Sequence, residues 1–448
     1  MFHLCMQAFS CYVYSCLLNT FPARLCVFSP TFCIISCSVF NEYMNDFMNP
    51  VSGTQPVAIG VIGIGTIGSY HCRTIAASES MVLAAVCDSI PGRADSAAER
   101  YGAQAFYDHV SLLQSGICDA VVIATPHYSH TPIGIAALET GLHVLIEKPL
   151  SVHIADCRRL LAARRNETQV CAIMYNQRTD PRYRAVRQLI RSGAIGSLQR
   201  FTWIITNWYR PELYYQSSDW RATWAGEGGG VLMNQCIHQL DLLQWLCGMP
   251  ARVRAFCGLG KYHAIEVEDE VTACLEYARG LTGTLQATTG EYPGTNRLEI
   301  AGDRGRLILE GSTLQITRND TSTLQLSREA DSIFAVPGST TEEMRFDDHG
   351  DQHKEILENF AEAIMCNKPL IAPAGEGIHA VELANAMLYS ALRNETVTLP
   401  LDSQAYETLL KILIDASGQN RKTIPAIPDS LSDSDLDTVI KTRWRSHP

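Results

Sequence analysis

Two residues of this sequence combine a side chain that can move a proton with surroundings typical of an active site. Lys148 stands in a Glu-Lys-Pro sequence directly after the apolar run HVLI, and His238 follows a run of three glycines. A lysine or a histidine placed against a hydroxyl group can take its proton or return it. Each residue alone is more often a solvated lysine or a buried histidine. Together they predict acid–base chemistry on a substrate hydroxyl.

The histidine segment reads GGGVLMNQCIHQLDLLQW, which predicts a glycine turn followed by a helix that ends at Gly248 and Pro250. On such a helix Asn234, His238 and Asp241 share one face, because residues three and four apart are neighbours there. The alternative without a catalytic role is a buried histidine paired with Asp241. One histidine and one carboxylate without further clustered ligands make a thin metal site, so we expect no metal.

A glycine pattern near residue 63 predicts a site for the phosphates of a dinucleotide. Gly63, Gly65 and Gly68 give G-x-G-x-x-G between an apolar strand and a helix, and Thr66 and Ile67 fill the remaining positions. The first glycine permits the tight turn, the second lets backbone N–H groups reach a pyrophosphate, and the third lets the helix pack on the strand. An unrelated turn is the alternative, and the surrounding strand–helix–strand pattern disfavours it.

Asp88 ends the second apolar run, where a carboxylate can accept hydrogen bonds from the adenosine ribose hydroxyls. The same carboxylate repels a 2′-phosphate, so we predict NAD as the cofactor. Arg93, a few residues further on, keeps NADP as an alternative.

These residues need a framework, and the pattern of apolar runs predicts one. From Pro56 short apolar strands alternate with helices, which is typical of a parallel sheet covered on both faces. After about residue 178 long alternating strands form hairpins, one turning near residues 278–280 and another at 302–305. We predict an α/β Rossmann domain over residues 55–177. An α+β domain with a large, open, mainly antiparallel sheet follows over residues 178–415, with C-terminal helices packing back on it.

The two ends of the chain depart from this pattern. Residues 1–54 are rich in aromatics and cysteines, and Arg24 is the one charged residue of the first forty. We predict an atypical extension, either disordered or upstream of the native start. A membrane anchor is the alternative, although Pro22 and Pro30 help to interrupt its apolar stretches. Residues 416–448 read as a polar tail.

The bulk composition limits the partners and the compartment. The formal net charge is −11 and no block of Lys and Arg runs along the chain, which disfavours nucleic acid and anionic membranes as partners. Of the 16 cysteines none forms a CxxC pair, and several lie in apolar runs where a thiol is a small core residue. We therefore expect reduced thiols and a cytoplasmic protein.

The three motifs occur in one order over residues 55–415, and in that order they resemble the glucose–fructose oxidoreductase/inositol dehydrogenase (Gfo/Idh/MocA) family. The stretch WRATWAGEGGG is also similar to members that act on pyranosides such as levoglucosan, or on glycosides oxidised at C3. The resemblance implies a sugar or polyol dehydrogenase with Lys148 and His238 as catalytic residues. It also implies that a group of residues after the fourth strand borders the nicotinamide and its ribose, together with Glu147 and Lys148: Thr125, Pro126, His127 and His130.

The candidate substrate-binding residues are Lys148, Asn176, Trp220, Trp224, Asn234 and His238. Many family members carry an aspartate where this chain has Asn234. Because an amide cannot exchange a proton, we expect Asn234 to orient the sugar and Lys148 with His238 to handle the proton. The dense aromatics between residues 203 and 224 can stack on sugar rings, although core packing or a subunit interface explains some of them equally well.

The predicted reaction is reversible hydride transfer between a sugar or polyol carbinol, with C3 of a pyranoside as one option, and nicotinamide. Two rivals stay open at this stage. One is a glycosidase-type enzyme that oxidises its substrate transiently with bound NAD, and the other is a redox-silent NAD-binding regulator. We expect a small sugar or polyol as the partner and a homodimer or homotetramer as the assembly.

Overall fold

The computed structural model describes residues 55–417 of the 448-residue chain. The predictions for residues 1–54 and for the polar tail from residue 418 lie outside the described residues. Within the described part, no helix combines the length and the apolar character that crossing a membrane requires.

The first sheet consists of six parallel strands: β1 Val57–Ile62, β2 Met81–Cys87, β3 Gln104–Phe106, β4 Ala120–Ile123, β5 His143–Ile146 and β6 Cys171–Ile173. Their order in the sheet is β3-β2-β1-β4-β5-β6. The apolar runs are continuous and buried, as in AVVI of β4, because a parallel sheet of this kind is covered by helices. The carboxyl ends of β1, β4 and β5 therefore meet at one edge of the sheet.

Five helices connect these strands: α1 Thr66–Ala76, α2 Pro91–Tyr101, α3 His109–Gln114, α4 His127–Glu139 and α5 Ile154–Ala162. Helix α2 starts with proline in its first position and ends at Gly102 in the left-handed conformation, φ 70°, as its sequence predicts. A short 3₁₀ helix, Asn176–Thr179, and helix α6, Pro181–Arg191, lead out of the first sheet.

The second sheet has nine strands: β7 Leu198–Ile205, β8 Arg252–Leu259, β9 Glu268–Glu276, β10 Thr282–Thr288, β11 Asn296–Gly302, β12 Gly305–Glu310, β13 Thr313–Asn319, β14 Ser339–Arg345 and β15 Val397–Thr398. Their order is β14-β13-β12-β11-β7-β10-β9-β8-β15. All neighbours are antiparallel except β7 and β10, which run parallel. Buried and accessible residues alternate along the central strands, so one face of the sheet packs inward and the other stays open.

The remaining helices lie around the second sheet and between the two sheets: α7 Glu212–Gln216, α8 Ile237–Cys247, α9 Thr323–Glu329, α10 His353–Cys366, α11 Ala374–Arg393 and α12 Ser403–Ser417. Helix α11 packs against β6 and α5 on one side and against β8 and α8 on the other. Its buried Asn385 accepts a hydrogen bond from the Ile154 N–H and donates one to the Val152 carbonyl, both at 3.2 Å. This helix joins the two sheets into one body.

The predicted fold class is confirmed: a parallel Rossmann-type sheet is followed by a large, open, mainly antiparallel sheet. The two predicted hairpins are the β9–β10 and β11–β12 pairs. Their turns fall at the glycine-containing segments that the sequence indicated.

Candidate active site

The glycine turn forms a cradle at the carboxyl end of β1. Gly63 adopts φ 93°, and a Cβ there would lie 2.7 Å from the Ala124 carbonyl oxygen. A Cβ on Gly68 would lie 1.8 Å from the Gly63 oxygen, so helix α1 can approach the turn only with glycine at this position. Nothing lies within 4 Å of a Cβ built on Gly65, and no side chain caps α1. The helix therefore presents backbone N–H groups to an open space that suits a pyrophosphate.

Asp88, the predicted ribose carboxylate, lies against this turn. One carboxylate oxygen accepts the Ile64 N–H at 2.7 Å and the other accepts the Ile90 N–H at 2.9 Å. These two bonds fix the side chain beside the glycine turn. Asp88 is thereby positioned for an adenosine ribose bound along the same sheet edge.

The segment after β4 contributes residues of two kinds. Pro126 is exposed, and the Thr125 hydroxyl is buried without a hydrogen-bond partner among the described residues, so it is free to meet a ligand. The two ring nitrogens of His130 lie 2.7 Å from the Pro149 carbonyl oxygen and 2.8 Å from that of Thr125. His130 therefore links this segment to the Lys148–Pro149 turn. Because both of its ring nitrogens are used in this way, it would influence a cofactor by fixing the position of the turn and not by direct contact.

The carboxylate of Glu147 is hydrogen-bonded to a histidine, His71, that the sequence analysis did not single out. Its Oε1 is 2.8 Å from His71 Nε2, and its Oε2 accepts the N–H of Lys148 at 3.1 Å. Burial alone would raise the pKa of Glu147, but the hydrogen bond from His71 and the neighbouring charges of His71, His353 and Lys148 lower it to about 2. The glutamate is thus a carboxylate that anchors the Lys148 backbone.

Lys148 and His238 lie close enough for the charge of the lysine to act on the histidine. Lys148 Nζ donates to the backbone oxygen of Asn234 at 3.1 Å and to its side-chain Oδ1 at 3.2 Å. His238 is buried, and its Nδ1 has no hydrogen-bond partner among the described residues. Burial and then the nearby charge of Lys148 lower the pKa of His238 well below its ordinary value. The imidazole is therefore neutral at pH 7 and can accept a proton.

One detail predicted around His238 is wrong, and the alternative that paired His238 with Asp241 does not hold. Helix α8 begins at Ile237, so Asn234 lies in the preceding turn and does not share a helical face with His238 and Asp241. The glycine run forces tight backbone approaches, such as that of Gly230 to the Glu268 carbonyl, and these delay the start of the helix. Asp241 is bound instead by Arg178, whose Nε and Nη2 donate at 2.8 Å and 2.7 Å.

The aromatic residues between 203 and 224 divide into core and site. Trp203 and Trp224 are buried at 0% and 4% exposure, so neither offers a ring face to a sugar. Trp220 is half-buried, with its ring 5.7 Å from that of His127 and the Arg221 guanidinium 4.7 Å from its centroid. Of the predicted substrate-binding tryptophans, Trp220 is the one placed for stacking.

Two further residues that the sequence analysis assigned to the site, Asn176 and His127, are buried. Asn176 donates from Nδ2 to Gln352 Oε1 at 2.7 Å, while its Oδ1 is buried without a partner among the described residues. His127 Nδ1 lies 3.1 Å from the backbone oxygen of Glu227. Burial, followed by the charges of His130 and Lys148, lowers the pKa of His127 well below its ordinary value. It is therefore a neutral ring at the wall of the site.

Sequence reasoning missed three ionisable residues that the fold brings to this place: His71, Glu227 and His353. His71 lies three residues after Gly68, on the helix α1 that follows the glycine turn. This spacing could have indicated a histidine near the cofactor site. Glu227 stands directly before the three glycines, and His353 is far along the chain. Neither carries a pattern of its own.

Comparison with known proteins agrees with this architecture. Residues 57–175 match the model of an oxidoreductase family with an NAD-binding Rossmann fold, and residues 183–308 match the GFO/IDH/MocA C-terminal domain. An inositol 2-dehydrogenase of Salmonella typhimurium is 31% identical over 193 residues, 42% of this chain and 53% of that protein. A levoglucosan dehydrogenase of Pseudarthrobacter phenanthrenivorans is 26% identical over 287 residues, 57% of this chain and 73% of that protein. The chain spans about half the length of the curated relatives it matches first.

Two solved structures share the fold. The WlbA dehydrogenase of Bordetella pertussis, in complex with NADH and UDP-GlcNAcA, is 26% identical, with a TM-score of 0.66 over 78% of this chain and 100% of that one. A levoglucosan dehydrogenase in complex with NADH and levoglucosan is 23% identical, with a TM-score of 0.66 over 77% of this chain and 100% of that one.

Proposed function

Because the chain belongs to the GFO/IDH/MocA family of oxidoreductases, we propose that it moves a hydride between a carbinol carbon of a sugar or polyol and NAD. The substrate class is supported by relatives named for inositol and levoglucosan and by a structural neighbour that holds a nucleotide sugar. The observation that carries the proposal is the buried Nδ1 of His238, which has no hydrogen-bond partner among the described residues and feels the charge of Lys148.

The residues of the first sheet fit NAD. The open space at Gly65 and the uncapped start of α1 suit the pyrophosphate, and the unpartnered Thr125 hydroxyl suits the part of the ligand that crosses β4. The Asp88 carboxylate favours a free ribose over a 2′-phosphate, so we propose NAD before NADP. When bound, NAD supplies the acceptor for the hydride.

The chain itself handles the proton. We propose that His238, neutral because of its burial, takes the hydroxyl proton as the carbon loses hydride. Lys148 donates hydrogen bonds to the same oxygen and stabilises the negative charge that develops on it. Asn234 orients the substrate, and Trp220 offers a ring face to it.

Finer assignments extend this proposal. We propose that residues 55–177 bind the cofactor, that residues 178–415 bind substrate and a second copy, and that the substrate is a pyranoside oxidised at C3.

A cytoplasmic location suits the cysteines described as free thiols, since burial raises the pKa of Cys72 to about 12 and keeps that thiol inert.

The open face of the second sheet supports a homo-oligomer. Its centre is uncharged, with Thr202, Ile204, Thr284 and Gln286 facing outward from β7 and β10. Charged outward residues surround this centre, among them Arg200 and Glu299. A weakly charged centre within a polar rim is the composition of a protein interface.

The test is a spectroscopic screen of the purified chain. NAD and NADP are each incubated with inositols, levoglucosan, glucosides and a UDP-sugar, and the NADH absorbance band is followed. We expect net NADH with at least one sugar or polyol. Glycoside hydrolysis without net NADH would instead identify the enzyme that oxidises transiently. NAD binding without either product would identify the redox-silent regulator.

A further inference from the structure

Glu227 is a buried carboxylate at the edge of the proposed site, directly before the three glycines. It is 2% exposed. Its Oε2 accepts the Ala222 N–H at 2.7 Å, and its Oε1 accepts Nδ2 of Asn234 at 2.5 Å. Arg221 Nη1 lies 3.7 Å from Oε1. A buried carboxylate with two N–H donors and one flanking cation is fixed in place and in orientation.

Asn234 lies between this carboxylate and Lys148. Its Nδ2 donates to Glu227, and its Oδ1 accepts from Lys148 Nζ at 3.2 Å. This orientation of the amide is the one that matches donors with acceptors on both sides. Rotating the amide by half a turn would point its NH₂ at an ammonium and its oxygen at a carboxylate, so both hydrogen bonds would be lost together.

We propose that Glu227 is a positioning residue of the reaction: it fixes the amide of Asn234 so that Oδ1 faces Lys148, and it thereby aims the lysine ammonium at the substrate oxygen. The inference rests on the proposed function, because that function assigns Lys148 its task. It goes further in naming a residue that touches neither substrate nor cofactor and acts through two others.

Burial leaves the pKa of Glu227 above its ordinary value, and the groups around the carboxylate limit that rise. Burial raises its pKa, while Arg221, the N–H of Ala222, the Asn234 amide and Lys148 oppose that rise. Glu268 is a carboxylate that interacts with Glu227, His127 faces the Glu227 backbone oxygen, and Tyr214 faces the Asn234 amide. Lys148 and Arg221 are the cations of this group.

Glu227→Gln is the first test variant, because it keeps the shape and reverses one contact. The introduced amide can satisfy the Ala222 N–H with its oxygen, and its NH₂ then faces Asn234. Asn234 must rotate to accept it, which turns its own NH₂ toward Lys148. We expect kcat/KM to fall by about 10-fold to 100-fold, the range for a misplaced reacting group, mainly through kcat. Glu382→Gln is the matched control, since its buried Oε1 accepts the Leu401 N–H away from the site.

A second pair of variants moves the carboxylate by one residue. Asn234→Asp alone places two carboxyl groups in contact, so they share a proton and the activity falls further as the pH rises and removes it. In the double variant Glu227→Gln, Asn234→Asp, the NH₂ of the side chain at position 227 donates to a carboxylate at position 234, which also accepts from Lys148. We expect the double variant to recover to within about fivefold of the wild type, because every donor again faces an acceptor.

A readout that needs no turnover separates this inference from the proposed function. The acylation rate of Lys148 by an amine-reactive reagent is measured by mass spectrometry across a pH series. In Glu227→Gln the amine should become reactive at a lower pH than in the wild type. In the double variant a carboxylate contacts the ammonium directly, so the amine should become reactive only at the wild-type pH or above it. Glu382→Gln should match the wild type throughout.

Unchanged Lys148 reactivity in Glu227→Gln, or a double variant no better than its two parents, would overturn the inference. If no sugar or polyol yields NADH with the wild type, the proposed function fails, while the labelling series still decides whether Glu227 controls Lys148. Thermal unfolding of each variant identifies a loss of activity that comes from misfolding, and the reactivity of the remaining folded fraction then gives the answer.

Discussion

His238 and Lys148 lie close enough for the charge of the lysine to act on the histidine. Burial and the Lys148 charge lower the pKa of His238, so the imidazole is neutral before it meets a substrate, and it is a weaker base than an exposed histidine. The lysine ammonium is meanwhile tied to two oxygens of Asn234. A hydroxyl between them would meet a proton acceptor on one side and a stabilising charge on the other.

Removing either group should slow the chemistry without disturbing the cofactor. We expect His238→Ala and Lys148→Ala each to lower kcat by about 10²-fold to 10⁴-fold, the usual loss when a positioned acid or base is removed. NAD affinity should stay within a small factor, since the glycine cradle is untouched. Single-turnover hydride transfer and NAD titration measure the two effects, with His109→Ala on α3 as the control. Undiminished hydride transfer in His238→Ala would remove the histidine from the mechanism.

Which residues the sequence could reveal depends on how locally they are encoded. Gly63, Lys148 and His238 each lie in a short local pattern, and the structure places Gly63 in a tight turn and Lys148 within electrostatic reach of His238. The alternative that paired Asp241 with His238 does not hold, because Asp241 binds Arg178, whose position in the sequence gives no sign of that contact. His353 reaches the site through the packing of a distant segment, which no local spacing records, and Glu227, directly before the three glycines, carries no pattern of its own.

At the scale of elements, the turn before α8 shows why the predicted helix start was too early. Gly228 takes a positive φ of 74°, and the Gly230 and Leu232 N–H groups donate to the buried carboxylate of Glu268. The Cys236 N–H then donates to the Val231 carbonyl, five residues back, so this segment stays a turn and the regular helix α8 begins only at Ile237. The Glu268 carboxylate on β9 helps to hold the turn that carries Asn234. The periodicity of the sequence indicates the apolar residues of the helix, but it cannot indicate the contact of the preceding turn with Glu268.

The glycines of the first turn separate a folding role from a binding role. Gly68→Ala places a methyl group 1.8 Å from the Gly63 oxygen, so backbone must move and we expect a loss of about 1 to 3 kcal/mol or more in the free energy of unfolding. Gly65→Ala meets nothing within 4 Å, so its stability should change by less than about 0.5 kcal/mol. Its methyl group occupies the space assigned to the pyrophosphate, and NAD affinity should fall by about tenfold or more.

Chemical denaturation and NAD titration of the two variants test this separation. A Gly65→Ala protein that binds NAD as tightly as the wild type would contradict the assignment of the cradle. Equal stability of Gly68→Ala and the wild type would contradict the close packing of α1 on the turn.

At the scale of the whole molecule, the docking of α10 should make stability depend on pH. His353, at the start of α10, is buried against Tyr70 and His71 of α1, with ring centroids 5.4 Å and 5.8 Å away. Burial lowers its pKa to about 3, against the nearby charge of Glu147. As the pH falls below 6.5, the ordinary pKa of histidine, His353 binds a proton in the unfolded chain but not in the folded protein. The free energy of unfolding therefore decreases as the pH falls.

We expect His353→Gln to remove part of this acid sensitivity. Between pH 7 and pH 5 the variant should lose about 2 kcal/mol less than the wild type, because glutamine does not titrate. This window lies above the unfolded-state pKa of Glu147, 4.5, whose own contribution is lost only as the pH falls further, towards about 2. Urea denaturation of both proteins across the window measures the difference. Parallel stability curves would show that His353 takes up its proton in the folded protein as readily as in the unfolded chain.

The open sheet face gives the last test, at the level of assembly. Thr284 and Gln286 on β10 face outward beside Thr202 and Ile204 on β7, in the uncharged centre of the face. In a two-fold pair of molecules meeting there, each position approaches its own copy or a close neighbour, so a new charge meets a like charge in a poorly solvated place.

We expect the wild type to form a dimer or tetramer by light scattering, and Thr284→Arg with Gln286→Arg to reduce the mass. Val110→Arg, at an exposed position of α3, is the control and should leave the assembly intact. The single molecule should tolerate the two arginines, because its own sheet face stays open to water. A wild-type monomer at micromolar concentration, or an assembly unaffected by the two arginines, would place any contact between copies elsewhere.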